Sequence, residues 1–295
     1  MKKKFEVLTN INLFIILLII IIAIIIINKI FFNIENFYDD VSVAPILSDD
    51  IHKVYNKNDF ENKLINTINP YDDDKETILW PDLEKNIFMQ LNLPNKFDFD
   101  YEIKKDIIDK ALKLKENYCI IDCGAHVGDG VFPIAHILKK KRNDIKIYAI
   151  EPSKHKCDFI NYIKEINNFD NIIVLNMGLS DIIGNYLTPG NETNNTGAWI
   201  WFKEKFTNID KSYFDSIDNL VKNNIISDKL GIIHLDVEGM ERNVLKGAKK
   251  TIENIKPYLS LENHNKEDIY IDLLPNKYEL KYKLHSNSIY IYNEN

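Results

Sequence analysis

The chain has 295 residues, 45% of them hydrophobic, enough for one sizeable core plus an additional segment. Its formal charge is −7, and no dense Lys/Arg stripe follows the first few residues, which disfavours a nucleic-acid partner because phosphate neutralisation supplies most of that affinity. Cys119, Cys123 and Cys157 are odd in number and include no Cys-x-x-Cys pair, so they indicate no disulfide framework and read as small buried hydrophobes.

Leu13 to Ile27 is uninterrupted apolar sequence, continued by Ile30-Phe31-Phe32. About twenty helical residues span the hydrocarbon core of a bilayer, so 11–32 is expected to be a transmembrane anchor behind a short tail, 1–10. Lys29 lies near one end and can snorkel. Lys2, Lys3 and Lys4 precede the run, and Glu35, Asp39 and Asp40 follow it. The positive-inside rule then places the N-terminus in the cytosol and the large domain on the extracytoplasmic side. A cleaved signal peptide is the alternative, but its apolar region would be long and the small-residue site Ser42-Val43-Ala44 lies far downstream. Two Asn-x-Thr sequons, at Asn191 and Asn194, would suit a lumenal face, although such triplets arise easily in so Asn-rich a chain.

Residues 33–99 read as a stalk and a helical lid, with short helices over 49–64 and 81–91 and breaks at Pro70, Pro81 and Pro94. From Asp100 to Asn117, Ile103, Ile107, Ile108, Ala111, Leu112 and Leu114 share one helical face. This helix opens the fourth and last part, 100–295. Strands are expected at 119–122, 145–150, 172–176, 231–237 and 258–262, with helices at 128–141, 153–166, 213–223 and 240–254. Such alternation argues for a parallel sheet with right-handed crossovers. The tail differs: Tyr278–Leu284 and Ser288–Tyr292 alternate around a polar turn, as a hairpin does. The expected fold is therefore α/β and Rossmann-like, a mostly parallel seven-stranded sheet with a C-terminal β-hairpin, of the class I methyltransferase type.

The first of those strands runs into Asp122-Cys123-Gly124-Ala125-His126-Val127-Gly128, and the second ends in Glu151-Pro152. Glycines at such a corner let the backbone approach a ligand, and an acid closing the second strand accepts hydrogen bonds from ribose hydroxyls. A dinucleotide enzyme would carry glycine where Asp122 stands, because pyrophosphate sits on that turn. A carboxylate suits a ligand with a cationic end instead, and S-adenosylmethionine carries a sulfonium and an ammonium. The expected cofactor site is Asp122, Gly124, Ala125, His126, Gly128 and Glu151, with Ser180 and Asp181 bordering the adenine pocket or, alternatively, forming a plain turn. This cofactor is made in the cytosol, in tension with an extracytoplasmic domain.

With these residues in place, the chain resembles the FkbM-type S-adenosylmethionine-dependent methyltransferases from about Cys119 to His264. The resemblance rests on Ile121 to Gly128, Glu151-Pro152, Gly178 to Asp181, Asp215 to Asp218, Leu235 to Glu241 with Leu245 to Ala248, and Pro257 to His264, in that order. His126 stands where the family often has Asn, and His234 where it often has Lys. The resemblance implies methylation of hydroxyl oxygens on sugars, natural products and other acceptors.

Methyl transfer to a hydroxyl needs alignment of the reacting atoms and a base for the proton. Asp236 and Glu238 follow the fourth strand and would share a side if strand geometry persisted, one as base and the other orienting the acceptor or donor. Capping of the next helix is the alternative for Glu238 and Glu241. His264 is a further candidate base, or a structural hydrogen-bonder. The candidate catalytic residues are Asp236, Glu238 and His264. Asp236, Glu262 and Asn263 also lie where catechol O-methyltransferase-like enzymes place a magnesium site, whose oxygen ligands suit that hard ion, although the FkbM resemblance does not generally imply a metal and none is assigned. Trp199 and Trp201 could stack on a sugar, or alternate along a strand edge with buried rings. The reading is a membrane-anchored O-methyltransferase acting on a hydroxyl of a glycan, glycolipid or related small molecule. The rivals are a catalytically silent binding module and a dinucleotide or nucleotide-sugar enzyme.

Overall fold

The computed structural model describes residues 64–81, 97, 100–188, 210–264 and 267–294, all within one unit of the chain, Ile46–Asn295. Strands β1 (Leu64–Ile68) and β2 (Thr77–Pro81) form an antiparallel hairpin. Helix α1 (Tyr101–Ala111) leads to β3 (Cys119–Cys123), α2 (Val131–Lys141), β4 (Lys146–Glu151), α3 (Lys154–Ile166) and β5 (Ile172–Asn176). Short strands β6 (Gly178–Leu179), β7 (Gly184–Thr188) and β8 (Asp210–Asp215) form a separate small sheet. Then come α4 (Ile217–Lys222), β9 (Leu230–Leu235), α5 (Glu241–Gly247), α6 (Lys249–Ile255) and β10 (Tyr258–Glu262). The hairpin β11 (Tyr278–Leu284) and β12 (Asn287–Tyr292) closes the chain.

The main sheet has seven strands in the order β11-β12-β10-β9-β3-β4-β5. Strands β5, β4, β3, β9 and β10 pair in parallel, and β12 is antiparallel to both its neighbours. The expected mostly parallel seven-stranded sheet with its terminal hairpin is present. From β3 the chain moves outward through β4 to β5, then returns to β9 and moves outward the other way. The carboxyl ends of β3 and β9 therefore flank the crevice where open α/β sheets bind ligands.

Both faces of the central strands are covered, which is why β3 is buried at every position. Ile120 and Ile232 pack with Ile107, Phe132 and Ile160 on the face of α1, α2 and α3. Ile121, Ile233 and Leu259 pack with Leu220, Val244 and Ile252 on the face of α4, α5 and α6. Each such fully buried side chain contributes roughly 1.5–3 kcal/mol.

Three expectations need correction. The helix expected over 213–223 begins at Ile217, because Tyr213 and Phe214 pair with β7 and Asp215 with β6 in the small sheet, and Ser216 Oγ caps the helix by accepting from Asn219 N. The helix expected over 240–254 is two helices meeting at Ala248. Asp218 explains the second start: its carboxylate accepts from Lys250 N and Thr251 N (3.0 and 2.7 Å), so the first turn of α6 is capped from α4. Third, Leu64 and Pro81, the ends of the two helices expected in the lid, belong to the β1–β2 hairpin. Trp80 anchors that hairpin, fully buried edge-on against Phe97, Phe132 and Phe159 at 5.3–5.5 Å.

The remainder of those two helices lies outside the described residues. So do the expected anchor 11–32, its tail 1–10, both sequons and Trp199 and Trp201. Among the described residues, no helix is long and apolar enough to cross a membrane. All three cysteines are buried and unpaired.

Candidate active site

The corner after β3 is built from left-handed backbone: Gly124, His126 and Gly128 have φ of 85°, 49° and 84°. Gly124 and Ala125 donate to Ile150 O of β4, and Gly128 closes the turn by donating to Ala125 O at 2.7 Å. A Cβ at Gly124 would meet the backbone oxygen of Asp236 at 1.7 Å. A Cβ at Gly128 would stand 2.4 Å from the Phe132 ring. His126 thus holds a left-handed backbone conformation that costs most side chains sterically.

Asp122 is buried beneath this corner, with His234 Nε2 of β9 3.8 Å away. Burial raises its pKa and the charge of Asp129 adds to this, while His234 and Lys104 work the other way. Asp129 behaves oppositely. Burial favours its neutral form, yet Lys104 at 3.4 Å and His126 at 3.8 Å hold it down to about 2. His126 is lowered by burial and by the charge of Lys156, against the pull of Asp129.

Glu151 closes β4 and is only 4% exposed. Its Oε2 accepts from His126 N at 3.0 Å and its Oε1 from Ser153 N at 2.9 Å. One carboxylate thus ties the glycine corner to the start of α3, with buried Lys156 3.8 Å away. Ser180 is fully buried, its hydroxyl bonded to Tyr186 and accepting from Ile182 N, so it is committed within its turn. Asp181 is exposed and accepts from Asn243 Nδ2.

Across the crevice, β9 ends at Leu235, so strand geometry does not carry Asp236 and Glu238 onto one side as the sequence pattern suggests. Glu238 has φ 53° and Gly239 φ 91°, a left-handed turn that folds Glu238 back within electrostatic range of Asp236 and His264. Glu241 accepts from Val237 N and Gly239 N, which makes it the brace of this turn.

Asp236 lies beside Glu262, the last residue of β10. Burial and the charge of Glu262 push the Asp236 carboxyl well above its usual range, with His234 opposing. Burial also raises Glu262, to about 7, the hydrogen bond with Asp236 opposing and the charges of Glu238, Glu241 and Asp100 adding. His264 Nε2 stands 2.7 Å from Glu262 Oε1, and its own side chain is 76% exposed.

The structure therefore gathers Asp122, Gly124, Ala125, His126, Gly128 and Glu151 at one wall of the crevice. Asp236, Glu238 and His264 form the other. Sequence reasoning missed Lys104, Asp129 and Lys156, which set the charge of the first wall. Glu262, which the sequence offered only as a magnesium ligand with Asp236 and Asn263, lies between Asp236 and His264.

The donor-side wall fits a cationic ligand. Burial raises the proton affinity of the Asp122 carboxyl, and a cation arriving beside it would favour its charged form. Among the described residues, a separate group with metal-ligand spacing comprises Asp72, Glu76 and His136. Lys140 Nζ already lies 2.9 and 3.1 Å from Asp72 and Glu76, and supplies the positive charge there.

The profile of the Methyltransferase FkbM domain matches residues 122–285, more than half of the chain. No curated protein matches the sequence. Among solved structures, the FkbM methyltransferase of Methylobacillus flagellatus KT shares 20% identity over 59% of this chain and 43% of its own length, with a TM-score of 0.41. This chain thus spans less than half of that protein. A SAM-dependent methyltransferase of Aquifex aeolicus shares 12% identity over 69% of this chain and 94% of its own, at a TM-score of 0.35. The Pyrococcus abyssi tRNA (uracil-54, C5)-methyltransferase, solved with S-adenosyl-L-homocysteine, shares 14% identity over 78% of this chain and 43% of its own, at 0.36.

Proposed function

Because the chain belongs to the FkbM methyltransferase family, we propose that it transfers a methyl group from S-adenosylmethionine to a hydroxyl of a glycan, glycolipid or related small molecule. The observation that carries this reading is the contact between the Gly124 corner and Asp236, which sets a cation-suited wall against a carboxyl of raised proton affinity. Bound at that wall, the cofactor supplies an electrophilic methyl on a sulfonium.

The protein's own residues do the rest. Asp122 would hold the ammonium end, and the glycine corner with Glu151 would hold the ribose. Asp236 takes the acceptor's proton at a carboxylate oxygen. A carboxylate whose proton affinity is raised by burial removes a hydroxyl proton better than an ordinary one does. Glu238 and His264 flank the acceptor and orient it, and alignment in a site screened from water provides much of the acceleration.

Residues 11–32 are proposed to anchor the enzyme, with the N-terminus cytosolic and the catalytic domain extracytoplasmic. The apolar run and the preceding lysines support this. Protease protection of the full chain in sealed vesicles tests the orientation, and digestion only from the cytosolic side would reverse it.

Calorimetric titration of S-adenosylmethionine and of NAD into the protein tests the cofactor. No heat with the former removes the proposal. A screen for labelled methyl transfer onto extracted glycans and lipids identifies the acceptor, and label on a protein or nucleic-acid fraction alone overturns the hydroxyl class.

A further inference from the structure

A polar row crosses the main sheet near its carboxyl edge. Parallel pairing sets Asp122 of β3 opposite His234 of β9, and His234 opposite Ser260 of β10. Two residues earlier, β3 and β9 carry Ile120 and Ile232, which belong to the core. Ser260 is fully buried and Asn287, at the start of β12, is nearly so. Polar side chains this deep are costly unless they are hydrogen-bonded. Asn287 Nδ2 donates to Ser260 Oγ at 3.0 Å and lies 3.5 Å from His234 Nδ1, and Ser260 Oγ is 3.3 Å from the same ring nitrogen.

These contacts select one form of the ring. An amide nitrogen only donates, and the amide oxygen of Asn287 is occupied, accepting from Ser286 Oγ at 3.3 Å. Ser260 Oγ accepts from Asn287, which leaves its own hydrogen for His234 Nδ1. Two donors therefore converge on Nδ1, which meets them with its lone pair. In a neutral imidazole the proton then sits on Nε2. That nitrogen faces Asp122 Oδ1 at 3.8 Å, and the His234 side chain is 16% exposed.

We infer that His234 is a positioning residue of the donor-side wall: gripped at Nδ1 by Ser260 and Asn287, it aims Nε2–H at Asp122 and holds that carboxylate for the donor's ammonium. The identity of the donor rests on the proposed function, whereas the form of the ring does not. Burial works against charge on Asp122, and an N–H dipole aimed at one of its oxygens favours the charged form that an ammonium needs. A carboxylate aligned in advance also spares the ligand the cost of ordering it.

Two readouts on the full-length protein test this. Nitrogen NMR of isotopically labelled histidine rings reads the tautomer, the His234 signals being identified by their loss in His234→Asn. Wild type is expected to carry the proton of the neutral ring on Nε2, and Ser260→Ala to raise the share with Nδ1–H at least tenfold. A wild-type ring with its proton on Nδ1, or a ratio unmoved in Ser260→Ala, overturns the inference. Calorimetry with S-adenosylmethionine and with methylthioadenosine, which lacks the ammonium-bearing end, reads the positioning. His234→Asn keeps an acceptor for Ser260 and Asn287 but has no donor long enough for Asp122, whereas the amide nitrogen of His234→Gln reaches the place of Nε2. Affinity for S-adenosylmethionine is expected to fall at least tenfold in His234→Asn and to return to within about threefold of wild type in His234→Gln, with methylthioadenosine unaffected by either. Equal losses for both ligands in His234→Asn, or no loss for S-adenosylmethionine, overturn the inference. Absent binding of S-adenosylmethionine by the wild type defeats the proposed function, while the ring signals still decide the grip on His234.

Discussion

Gly124 and Asp236 meet backbone to backbone, with space for no Cβ between them: one built on Gly124 would stand 1.7 Å from the Asp236 carbonyl oxygen. Asp236 N in turn donates to Cys123 O at 3.0 Å. The glycine is demanded by the closure of β3 onto the end of β9, and the same contact sets the spacing between the donor-side corner and the proposed base.

Gly124→Ala should therefore destabilise the protein by about 3 kcal/mol or more, since backbone must move and left-handed φ adds to the strain. Gly239→Ala is the control. It shares the positive φ but has open space around its Cα, so only about 1 kcal/mol is expected. Urea denaturation of the two variants measures the difference, and equal losses would show that the contact with Asp236 is slack.

Glu151→Gln leaves an amide nitrogen facing either His126 N or Ser153 N, each of which now donates to a carboxylate oxygen. A buried N–H without an acceptor costs about 1–3 kcal/mol. Cofactor affinity is expected to fall at least tenfold in calorimetry as the corner and α3 lose their common tie. Unaltered affinity would mean that neither the corner nor the ribose depends on this charge.

Asp236→Asn should lower methyl transfer by about 10²–10⁴-fold, the usual contribution of a positioned base, with little change in cofactor binding. Labelled transfer onto the acceptor found in the screen gives the rate. Wild-type turnover in the variant clears Asp236 of a catalytic role.

The carboxyl pair also sets a stability profile. In the unfolded chain Asp and Glu lose their protons near pH 4, whereas in the folded protein Asp236 is raised and Glu262 is raised to about 7. Between those values the folded state binds more protons, so stability falls as pH rises, by up to about 1.4 kcal/mol per pH unit for each proton held, and levels off above. Glu262→Gln should flatten that decline in thermal melts between pH 4 and 8. A wild-type profile that rises over this range would exclude the retained proton.

What the sequence by itself determined is local and periodic. Apolar runs of Ile and Val alternating with amphipathic helices set out five parallel strands, and the alternation in Tyr278–Leu284 and Ser288–Tyr292 marked the hairpin. The left-handed corner was legible in Gly124 and Gly128 because positive φ selects residue types directly. The β8 strand was not, because Tyr213, Phe214 and Asp215 become a strand only by pairing with Asn185, Gly184 and Leu179 of β7 and β6. The second start of α6 likewise depends on Asp218, which reaches it from α4.

Tertiary structure alone decided the chemistry of the crevice. Asp236 and Glu262 are 26 residues apart in sequence and act on each other only because β9 and β10 are neighbours. Asp129, Lys104 and His126 come from a turn, a helix and a corner, and only their distances make one acid ionise readily while Asp122 resists. Residue type sets where a proton could sit. Burial and the charges within a few ångströms decide where it does, and neither can be read from spacing along a chain.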